Sequence, residues 1–511
     1  MFLQYVQSLL TVDVLLALLL GVVGGMIIGI LPGLGATMAI SLLIPVTYTM
    51  NPIAAIVLLA TIYTTATYGG SITACLLCTP GTASSAATAL DGYELTKQGR
   101  GLEAIGMATI SSIFGGVVGG LALLLIAPPL AKLALQFSHP EYFWIAVFGI
   151  TIIGNLAGND PVKGFASGAI GVFVGLIGLE SSTAYARFTF GNIHLQSGIS
   201  LVPCLLGLFT ISQMLLHMEK MGKADGLDRG QVEVSGKDLG HKFLPSFKEL
   251  LHYIPIMIRS SLAGLLIGIL PGAGGDIGSW VGYNEAKRSS KQKELFGKGS
   301  LEAVCGSETA NNAVCGGSYI PLLTLGIPGS GAAAILLGGL TIHGLQPGNA
   351  LFTTNAHITY PIIIAYIAAN ILMGIVGIAT ARHLSKIATI PMKIIIPIVL
   401  VLSLVGAYSI NMQMFDVGVA IFFGVVGYFM RKCGFPTAPV VLGLILGPLA
   451  ESGLYTTLQM KKDMSLLAYF ASRPLCWLFF VLTILAIFTP VILRAFRKKA
   501  GIAGDTEMSD D

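Results

Sequence analysis

The sequence contains few charged residues, and this scarcity restricts its structural class more than any other feature. Only 11% of its 511 residues are Asp, Glu, Lys or Arg, 54% are hydrophobic, and the mean hydropathy is +0.81. A soluble globular domain carries about twice that share of charge. Apolar runs recur from about position 12 to about position 492, and many reach the 18 or more residues needed to cross a bilayer. The composition therefore predicts a polytopic helical membrane protein.

The sequence lacks the motifs of ATP hydrolysis, metal binding and disulfide pairing. No Gly-x-x-x-x-Gly-Lys-Ser/Thr sequence is present, so ATP-driven transport by this chain is not supported. The eight histidines have no metal-ligand spacing, and the seven cysteines give no disulfide framework. Cys75 and Cys78 form a C-x-x-C pair, but no second ligand pair accompanies it. We expect no enzymatic activity and no cofactor apart from a coupling ion, either Na⁺ or H⁺.

A five-residue motif that occurs twice organises what is present. Gly-Ile-Leu-Pro-Gly stands at 29–33 and again at 268–272, each time at the end of an apolar run. Two further motifs follow each copy at nearly the same spacing: Gly-Gly-Ser at 69–71 and 316–318, then Pro-Gly-Thr at 80–82 and Pro-Gly-Ser at 328–330. Matched interruptions in two halves of a hydrophobic chain are typical of transporters built from a duplicated unit.

Each motif is predicted to interrupt a helix within the membrane. Residues 12–31 and 36–48 are apolar arms on either side of the first Pro-Gly, and because each is short for a crossing, we predict a re-entrant hairpin. Two short crossings are the alternative. The next helix, from residue 53, is predicted to break at Gly69-Gly70-Ser71 and to resume near Pro80. The second half repeats this plan, with a hairpin from residue 254 and a broken helix over 301–342.

Loop charges indicate that the two halves are inverted relative to each other. The loop at 48–51, after the first hairpin, has no Lys or Arg, whereas the equivalent loop at 287–298 has five. The loops after the broken helices have the opposite bias, with Lys97 and Arg100 in the first half and no positive charge at 344–354. Equivalent loops therefore face opposite sides of the membrane.

These patterns define the predicted fold. It is an all-α polytopic membrane protein with inverted structural repeats, each containing a re-entrant helical hairpin and a broken transmembrane helix, and it has about 11 crossings plus two hairpins. The predicted domains are a first half at 1–217, a cytoplasmic connector at 218–250, a second half at 251–500 and a disordered acidic tail at 501–511. The N-terminus is predicted on the periplasmic side and the C-terminus in the cytoplasm, although Lys461 and Lys462 then fall outside, against the rule.

The breaks are the predicted binding site. Helix N-termini expose unpaired N–H groups and the positive end of the helix dipole, so they bind an anion such as a carboxylate without a buried Lys or Arg. A single Pro-Gly is more often a kink that eases helix packing, but four matched breaks favour a shared site. Hydroxyl groups near the breaks, Thr73 and Ser84 among them, are expected to complete the anion's hydrogen bonds. The predicted substrate-binding residues are Gly33, Gly35, Ser71, Thr79, Gly81, Thr82, Gly272, Gly274, Ser318, Gly329 and Ser330.

A short apolar helix in the second half carries the predicted ion-coupling residues Glu308, Asn311 and Asn312. A carboxyl group at membrane depth is costly and usually functional. Neutralised by H⁺, or paired with Na⁺ through the amides of Asn311 and Asn312, Glu308 could couple substrate movement to an ion gradient. Glu302 is equally well explained as a helix cap near the interface, and Asp276 as the cap of the return arm.

Four motifs of this sequence resemble those of the large membrane subunit of the tripartite tricarboxylate transporters. They are the motifs at 29–35 and 268–275, Glu308-Thr-Ala-Asn-Asn312-Ala, and Gly316-Gly-Ser…Leu325-Gly-Ile-Pro-Gly-Ser330. The resemblance covers essentially the whole chain. It implies a permease of the bacterial inner membrane that works with a periplasmic solute-binding protein and a small membrane subunit of about four helices. The implied substrates are citrate and other small organic carboxylates, taken up by symport with an ion. The first half departs slightly, since Leu77-Cys-Thr-Pro-Gly-Thr82 stands where the second half has Gly-Ile-Pro-Gly-Ser.

Two alternative functions remain open at this stage. A passive channel for small anions would commonly line its pore with charged rings or carbonyl filters, and neither is apparent. An intramembrane enzyme is the second alternative, because Gly274-Gly275-Asp276 faintly resembles the motif of aspartyl intramembrane proteases. Ala273 occupies the place of the first glycine of that motif, and no Tyr-Asp pair accompanies it.

Overall fold

The computed structural model shows a chain that is helical almost throughout. It describes residues 2–31, 33–78, 81–156, 160–180, 184–223, 243–270, 274–387 and 390–485. Nine helices within these ranges are long and apolar enough to cross a membrane. They are Val12–Ile30, Pro52–Leu77, Gly101–Gln136, Leu201–Met221, Glu249–Ile269, Ala356–Thr380, Met392–Asn411, Met414–Lys432 and Ala438–Met460. The predicted class, an all-α polytopic membrane protein, is confirmed.

The helices are numbered here in chain order. They are α1 Phe2–Leu9, α2 Val12–Ile30, α3 Gly35–Thr47, α4 Pro52–Leu77, α5 Ala86–Lys97, α6 Gly101–Leu133, α7 His139–Leu156, α8 Pro161–Gly175, α9 Ile193–Gln196, α10 Leu201–Leu205, α11 Ser212–Lys223, α12 Phe247–Ile269, α13 Gly274–Ser289, α14 Leu301–Leu325, α15 Gly331–Ile342, α16 Asn349–Phe352, α17 Ala356–Ile387, α18 Met392–Asn411, α19 Met414–Lys432, α20 Ala438–Met460, α21 Leu466–Ala471 and α22 Pro474–Leu485. A π-helical turn at Leu206–Ile211 joins α10 to α11. Two short strands, β1 Gly178–Leu179 and β2 Ala186–Arg187, pair in antiparallel fashion.

The chain divides into two compact units. The first contains Met1–Gln136 and Ile199–Cys433, and the second contains Phe137–Gly198 and Gly434–Asp511. All the repeated motifs lie in the first unit. The predicted boundary at 218–250 divides the sequence into two halves, whereas each compact unit combines two separate ranges. This boundary stays a prediction, since 224–242 lie outside the described residues. The predicted tail at 501–511 lies outside them as well.

Two helices form the centre of the first unit. In α4 every residue from Ala54 to Leu76 is buried, and in α14 every residue from Ala303 to Thr324 is buried. A helix buried on all sides has no amphipathic stripe. Within these two buried stretches Glu308 is the one charged side chain, and the other polar groups are hydroxyls, thiols and amides. These two helices therefore carry the interior chemistry of the unit.

Glycines let equivalent helices of the two halves cross in the same way. A Cβ atom at Gly29 of α2 would lie 2.2 Å from the Ala66 carbonyl oxygen of α4, and one at Gly268 of α12 would lie 2.5 Å from the Val314 carbonyl oxygen of α14. Both approaches are too close for any side chain. Small residues at such crossings are typical of membrane helix packing, where van der Waals contact replaces the hydrophobic effect.

The predicted breaks at Gly-Gly-Ser are wrong. Helix α4 continues through Gly69-Gly70-Ser71 to Leu77, and α14 continues through Gly316-Gly317-Ser318 to Leu325. The glycines of these motifs are positions of close packing instead. Gly69 packs against α2 and Gly317 against α12, while Gly70 packs against Thr82 and Gly316 against Gly119 of α6. The actual breaks come later, at Cys78 and Gly326, which both adopt left-handed backbone conformations with φ of 52° and 71°. The Pro-Gly end of each predicted interruption is therefore the real helix end.

The Gly-Ile-Leu-Pro-Gly motifs do end helices. α2 ends at Ile30 and α3 begins at Gly35, while α12 ends at Ile269 and α13 begins at Gly274. α3, with 13 residues, and α13, with 16, are too short to span a bilayer. The expectation that both arms are short is wrong for the first arms, because α2 and α12 meet the length of a span.

Two ion pairs connect elements within the second unit. Arg187 donates to both carboxylate oxygens of Glu451 in α20. The Arg473 Nε atom, at the end of α21, lies 2.5 Å from the buried Glu141 carboxylate in α7. Asp160 caps α8 by accepting from the Val162 N–H at 3.0 Å.

Candidate functional site

The break between α14 and α15 is closed by a serine cap. The Ser330 hydroxyl oxygen accepts from the Ala333 N–H at 3.1 Å, which satisfies one free donor of the first turn of α15. The same hydroxyl lies 2.7 Å from the hydroxyl of Tyr63 in α4, and both side chains are buried. A residue of the first half therefore reaches the start of a helix in the second half.

The corresponding break in the first half carries a cluster of hydroxyls before α5. The Thr82 hydroxyl oxygen lies 3.0 Å from that of Ser84 and 3.1 Å from that of Ser85. All three side chains are buried. Thr82 and Ser85 form a capping box around the short 3₁₀ turn that leads into α5. Thr79, a predicted site residue, lies outside the described residues.

The starts of α5, α13 and α15 converge. The Gly274 N–H donates to the Gly329 carbonyl oxygen at 3.1 Å, which places the start of α13 on the break before α15. A Cβ atom at Gly275 would lie 3.1 Å from the Cβ of Ser84 and 3.2 Å from the Asn311 side-chain oxygen. Three helix N-termini, one from the first half and two from the second, thus meet beside one buried amide side chain. Of the predicted residues, Thr82, Gly274, Gly329 and Ser330 belong to this region, while Gly272 lies outside the described residues.

The first Pro-Gly tip has a different environment. A Cβ atom at Gly33 would lie 2.7 Å from the Nε2 atom of His217 in α11, and one at Gly35 would meet no heavy atom within 4 Å. Gly81 provides the link between this tip and the first break, since its Cβ would lie 2.1 Å from the Gly29 carbonyl oxygen, one turn before the tip. Gly33 itself therefore faces α11, and its predicted role in binding stays a prediction.

Glu308, two turns into α14, is fully buried. Its Oε1 atom accepts a hydrogen bond from the Thr88 hydroxyl of α5, and its Oε2 atom accepts from the Ser112 hydroxyl of α6 at 3.1 Å. None of the ion pairs among the described residues involves Glu308. A buried carboxylate without a cationic partner is costly unless a proton or a cation neutralises it. Glu308 is therefore placed in the protein interior, and its predicted role in ion coupling stays a prediction.

Two further buried polar side chains stand beside this carboxyl. Ser71 of α4 and Asn311 of α14 lie close enough to stabilise its charge. Yet the Ser71 hydroxyl and both polar atoms of the Asn311 amide lack a hydrogen bond of ordinary geometry within the described part of the chain. Buried polar groups are almost always paired, so a cluster of unpaired ones indicates a place for a ligand.

Asn312 belongs to a separate network, although it is one helical turn from Glu308. Its Nδ2 atom donates to the Glu308 backbone carbonyl oxygen at 3.3 Å, and its Oδ1 atom accepts from the Thr64 hydroxyl at 3.4 Å. The Thr64 hydroxyl also lies 2.7 Å from the side-chain oxygen of Asn370 in α17. The amide of Asn312 is thus occupied by helix packing, and its predicted part in ion coupling remains untested.

The remaining predicted residues are placed as follows. The Ser318 hydroxyl is buried and unpaired in the described structure, and a Cβ at Gly329 would lie 2.8 Å from it. The Thr73 hydroxyl donates to the Gly70 carbonyl oxygen at 3.1 Å. Glu302, near the start of α14, lies 3.3 Å from His252. The described residues contain no group of three or more metal-binding side chains of the His, Cys, Asp or Glu types.

Sequence reasoning missed Asp91, which ties the first half to the second. This fully buried carboxylate of α5 accepts from the backbone N–H groups of Gly297, Gly299 and Ser300 at 2.7–3.0 Å, just before α14 begins. It also accepts from the Tyr283 hydroxyl of α13 at 2.9 Å. Asp91 stands one turn after Thr88 on α5, so it positions the helix that supplies Thr88 to Glu308. Tyr63, Thr88 and Ser112 were missed as well.

Comparison with known proteins gives a consistent result. The model of the family described as "Tripartite tricarboxylate transporter TctA family" matches residues 15–442. A protein of Agrobacterium vitis, the "Uncharacterized 52.8 kDa protein in TAR-I ttuC' 3'region", is 36% identical over 434 residues, covering 85% of each chain. A second protein of that organism, the "Uncharacterized protein in TAR-II ttuC' 3'region", is 38% identical over 191 residues, covering 37% of this chain and 79% of the relative. No solved structure matches the chain.

Proposed function

This chain belongs to the tripartite tricarboxylate transporter TctA family, and we propose that it is the permease subunit that takes up small organic carboxylates, of the tricarboxylate and dicarboxylate class, across the bacterial inner membrane. Uptake is driven by an ion gradient, in symport. A periplasmic solute-binding protein delivers the substrate, and a small four-helix membrane subunit completes the transporter. Family membership supports a transporter rather than an enzyme, and the arrangement of the site supports an anionic substrate.

The observation that carries the proposal is the meeting of three helix N-termini around buried polar side chains. The starts of α5, α13 and α15 bring the partial positive charge of three helix N-termini to one place. The hydroxyls of Ser84 and Ser330 and the amide of Asn311 lie there, and the amide is unpaired. Carboxylate groups are stabilised at such sites without a buried cation. A tricarboxylate or dicarboxylate presents enough oxygens to use more than one of these helix ends.

The two halves act as inverted repeats in this proposal. Support comes from the opposite charge bias of their equivalent loops and from the matching glycine crossings at Gly29 and Gly268. The return arms α3 and α13 then form re-entrant hairpins with α2 and α12. The N-terminus lies in the periplasm, and the connector and C-terminus lie in the cytoplasm.

Ion coupling is assigned to Glu308 and its neighbours Asn311 and Asn312. A carboxylate that is buried in the membrane-embedded core must be neutralised before the core moves, so ion binding and substrate movement are linked energetically. An elevator-like movement of the core agrees with this scheme. Cross-links from Leu34 to α11 and α18 should then differ between outward-facing and inward-facing states, and an unchanged pattern would count against such a movement.

The test is uptake into proteoliposomes that contain this chain with its small membrane subunit and its binding protein. A panel of radiolabelled mono-, di- and tricarboxylates is offered under Na⁺ and H⁺ gradients imposed separately. Accumulation above equilibrium that depends on one gradient supports the proposal. Carboxylate flux that persists after both gradients are collapsed would identify a passive channel instead, and the absence of carboxylate flux under every condition would reject the substrate class.

A further inference from the structure

We propose that Glu308, Thr88, Ser112, Ser71 and Asn311 form a binding site for one dehydrated Na⁺ ion shared by the two halves. The inference rests on the proposed ion-coupled function and names its ion and its ligands. Ser71, Thr88 and Ser112 come from α4, α5 and α6 of the first half, whereas Glu308 and Asn311 come from α14 of the second.

The site offers only oxygen ligands from these side chains. Both carboxylate oxygens of Glu308 already meet hydroxyls, from Thr88 at Oε1 and from Ser112 at Oε2 at 3.1 Å. A third hydroxyl, of Ser307, lies 2.9 Å from the Thr88 hydroxyl. Hard cations prefer carboxylate, hydroxyl and amide oxygens, and a small site built from them selects a small ion. One carboxylate also matches one positive charge, so a monovalent ion leaves the site neutral.

The unpaired atoms favour Na⁺ over a proton. A proton on Glu308 would neutralise the carboxyl and offer a single donor. It would leave unpaired at least two of the three buried polar atoms that lack partners, namely the Ser71 hydroxyl and the oxygen and nitrogen of the Asn311 amide. A cation accepts several oxygen ligands at once, so it satisfies the Ser71 oxygen and the Asn311 oxygen together. Since the oxygen and nitrogen of an amide exchange by rotation, the Asn311 nitrogen then remains free to donate.

The Asn311 amide nitrogen places the proposed ion beside the proposed anion site. The amide lies next to the position that a Cβ of Gly275 would occupy, at the start of α13, where Ser84 also makes contact. With its oxygen on the cation and its nitrogen turned to this helix start, Asn311 donates to a bound carboxylate. A cation a few ångströms away further stabilises that anion in a medium of low dielectric. Binding of the ion and of the carboxylate is therefore mutually favourable.

The experiment measures Na⁺ binding without transport. The full-length chain with its small membrane subunit is purified in Na⁺-free buffer, and the thermal unfolding midpoint is followed during titration with NaCl. KCl and choline chloride at equal ionic strength are the reference titrations. A ligand that binds the folded state raises the midpoint in a saturable manner. We expect saturation with NaCl but not with the two reference salts.

Three variants test the ligands. Thr88→Val and Ser71→Ala each remove one oxygen and should weaken Na⁺ binding roughly 10- to 100-fold. Glu308→Gln should abolish the saturable response. The matched control is Thr109→Val, which removes a buried threonine hydroxyl that bonds to the Tyr68 hydroxyl at 2.7 Å and to the Ile105 carbonyl oxygen rather than to Glu308. Its Na⁺ affinity should equal that of the unmodified protein.

The inference is overturned if NaCl behaves like choline chloride, or if Thr88→Val and Ser71→Ala bind Na⁺ as well as the control does. Unfolding midpoints in choline chloride that match the midpoint of Thr109→Val show that Thr88→Val and Ser71→Ala are folded. These two variants therefore test the ligands even if Glu308→Gln misfolds. Carboxylate uptake driven by an H⁺ gradient without any Na⁺ effect would remove the Na⁺ site and leave the proposed function intact. Specific Na⁺ binding without carboxylate uptake would support the Na⁺ site and reject the proposed function.

Discussion

The hydroxyl groups of Tyr63 and Ser330 lie 2.7 Å apart although 267 positions separate them in the sequence. Tyr63 stands within α4 of the first half, and Ser330 begins α15 of the second. Because Ser330 also accepts from the Ala333 N–H, this bond from Tyr63 fixes the direction of the Ser330 hydroxyl at the helix start. The contact therefore gives a direct way to perturb the proposed anion site without touching any glycine.

Replacing Tyr63 by Phe should weaken substrate binding. The variant loses one buried hydrogen bond, at a cost of about 1 kcal/mol of folding free energy, and leaves the Ser330 hydroxyl free to turn away from the site. We expect the KM for carboxylate uptake to rise about tenfold, while protein yield and assembly stay normal. Uptake assayed over a range of substrate concentrations gives the KM.

Tyr68→Phe is the matched control for this variant. Tyr68 is also a fully buried tyrosine of α4, and its hydroxyl lies 2.7 Å from that of Thr109. Its loss should reduce stability by a similar amount and leave the KM unchanged. Equal KM values for the two variants would separate Tyr63 from substrate binding.

Glu308→Gln should abolish ion-coupled uptake. The amide has nearly the same shape as the carboxyl but cannot be neutralised by an ion, so binding no longer depends on the gradient. Glu302→Gln, on the same helix but beside His252 near its start, should retain coupled uptake. Accumulation and counterflow of labelled substrate distinguish lost coupling from lost binding. Normal coupled uptake by Glu308→Gln would remove this residue from the mechanism.

Alanine at Gly329 or at Gly81 should destabilise the protein strongly. The added methyl group would lie 2.3 Å from the Gly268 carbonyl oxygen in the first case and 2.1 Å from the Gly29 carbonyl oxygen in the second. Because backbone atoms cannot rotate away, we expect a cost of about 3 kcal/mol or more for each. Gly418→Ala is the control, since its Cβ meets nothing within 4 Å in the second turn of α19. Thermal unfolding in detergent should show midpoints well below the control for both variants.

Asp91→Asn should loosen the attachment of α5 to the start of α14. The amide has one acceptor oxygen in place of two charged ones, whereas Asp91 serves three backbone N–H groups and the Tyr283 hydroxyl. We expect a loss of about 2 kcal/mol of folding free energy. Asp160→Asn is the control, because Asn and Asp cap helices equally well at this exposed position. A Tm equal to that of the control would show that the attachment at Asp91 contributes little.

Accessibility to thiol reagents should demonstrate the inverted orientation. Single cysteines are placed at Asn51, after α3, and at Gln292, after α13, in a background without the native cysteines. Both positions are exposed, so each reacts from the side that it faces. We expect a membrane-impermeant maleimide to label Asn51→Cys in intact spheroplasts, and Gln292→Cys only after the membrane is opened. Labelling of both from the same side would refute the inverted repeat.

The parts of the site that sequence could predict are those marked by backbone chemistry or by depth. Proline and glycine end helices by removing donors and permitting unusual φ values, so the breaks before Thr82 and Ser330 were predictable from a short motif. Glu308 was predictable because a carboxylate within an apolar segment is costly. Each of these signals is contained in a few neighbouring residues.

The wrong prediction at Gly69-Gly70-Ser71 has a physical reason. Glycine costs a helix about 1 kcal/mol relative to alanine, whereas an unpaired backbone group in hydrocarbon costs several. The helix therefore continues wherever its glycines gain close packing, as Gly69 does against the Met26 carbonyl oxygen of α2. The helix ends where Cys78 adopts a left-handed backbone conformation, with φ of 52°.

Sequence could not reveal the partners of Glu308. Thr88 is 220 positions from it and Ser112 is 196, so no local pattern connects either hydroxyl with the carboxyl. The buried threonines and serines of α4, α5 and α6 look alike as residue types. Only the packing of α14 among these helices selects the few that reach the carboxylate.

The hydrogen bonds of Asp91 have a consequence for how such a protein can move. They hold α5 to the start of α14 while Thr88, one turn away, holds the same helix to Glu308. Sliding α5 past α14 would break the hydrogen bonds of Asp91 and the bond from Thr88 to Glu308. It would leave the buried carboxylates without these partners. Any conformational change that preserves these bonds must therefore move α5 and the first turns of α14 together.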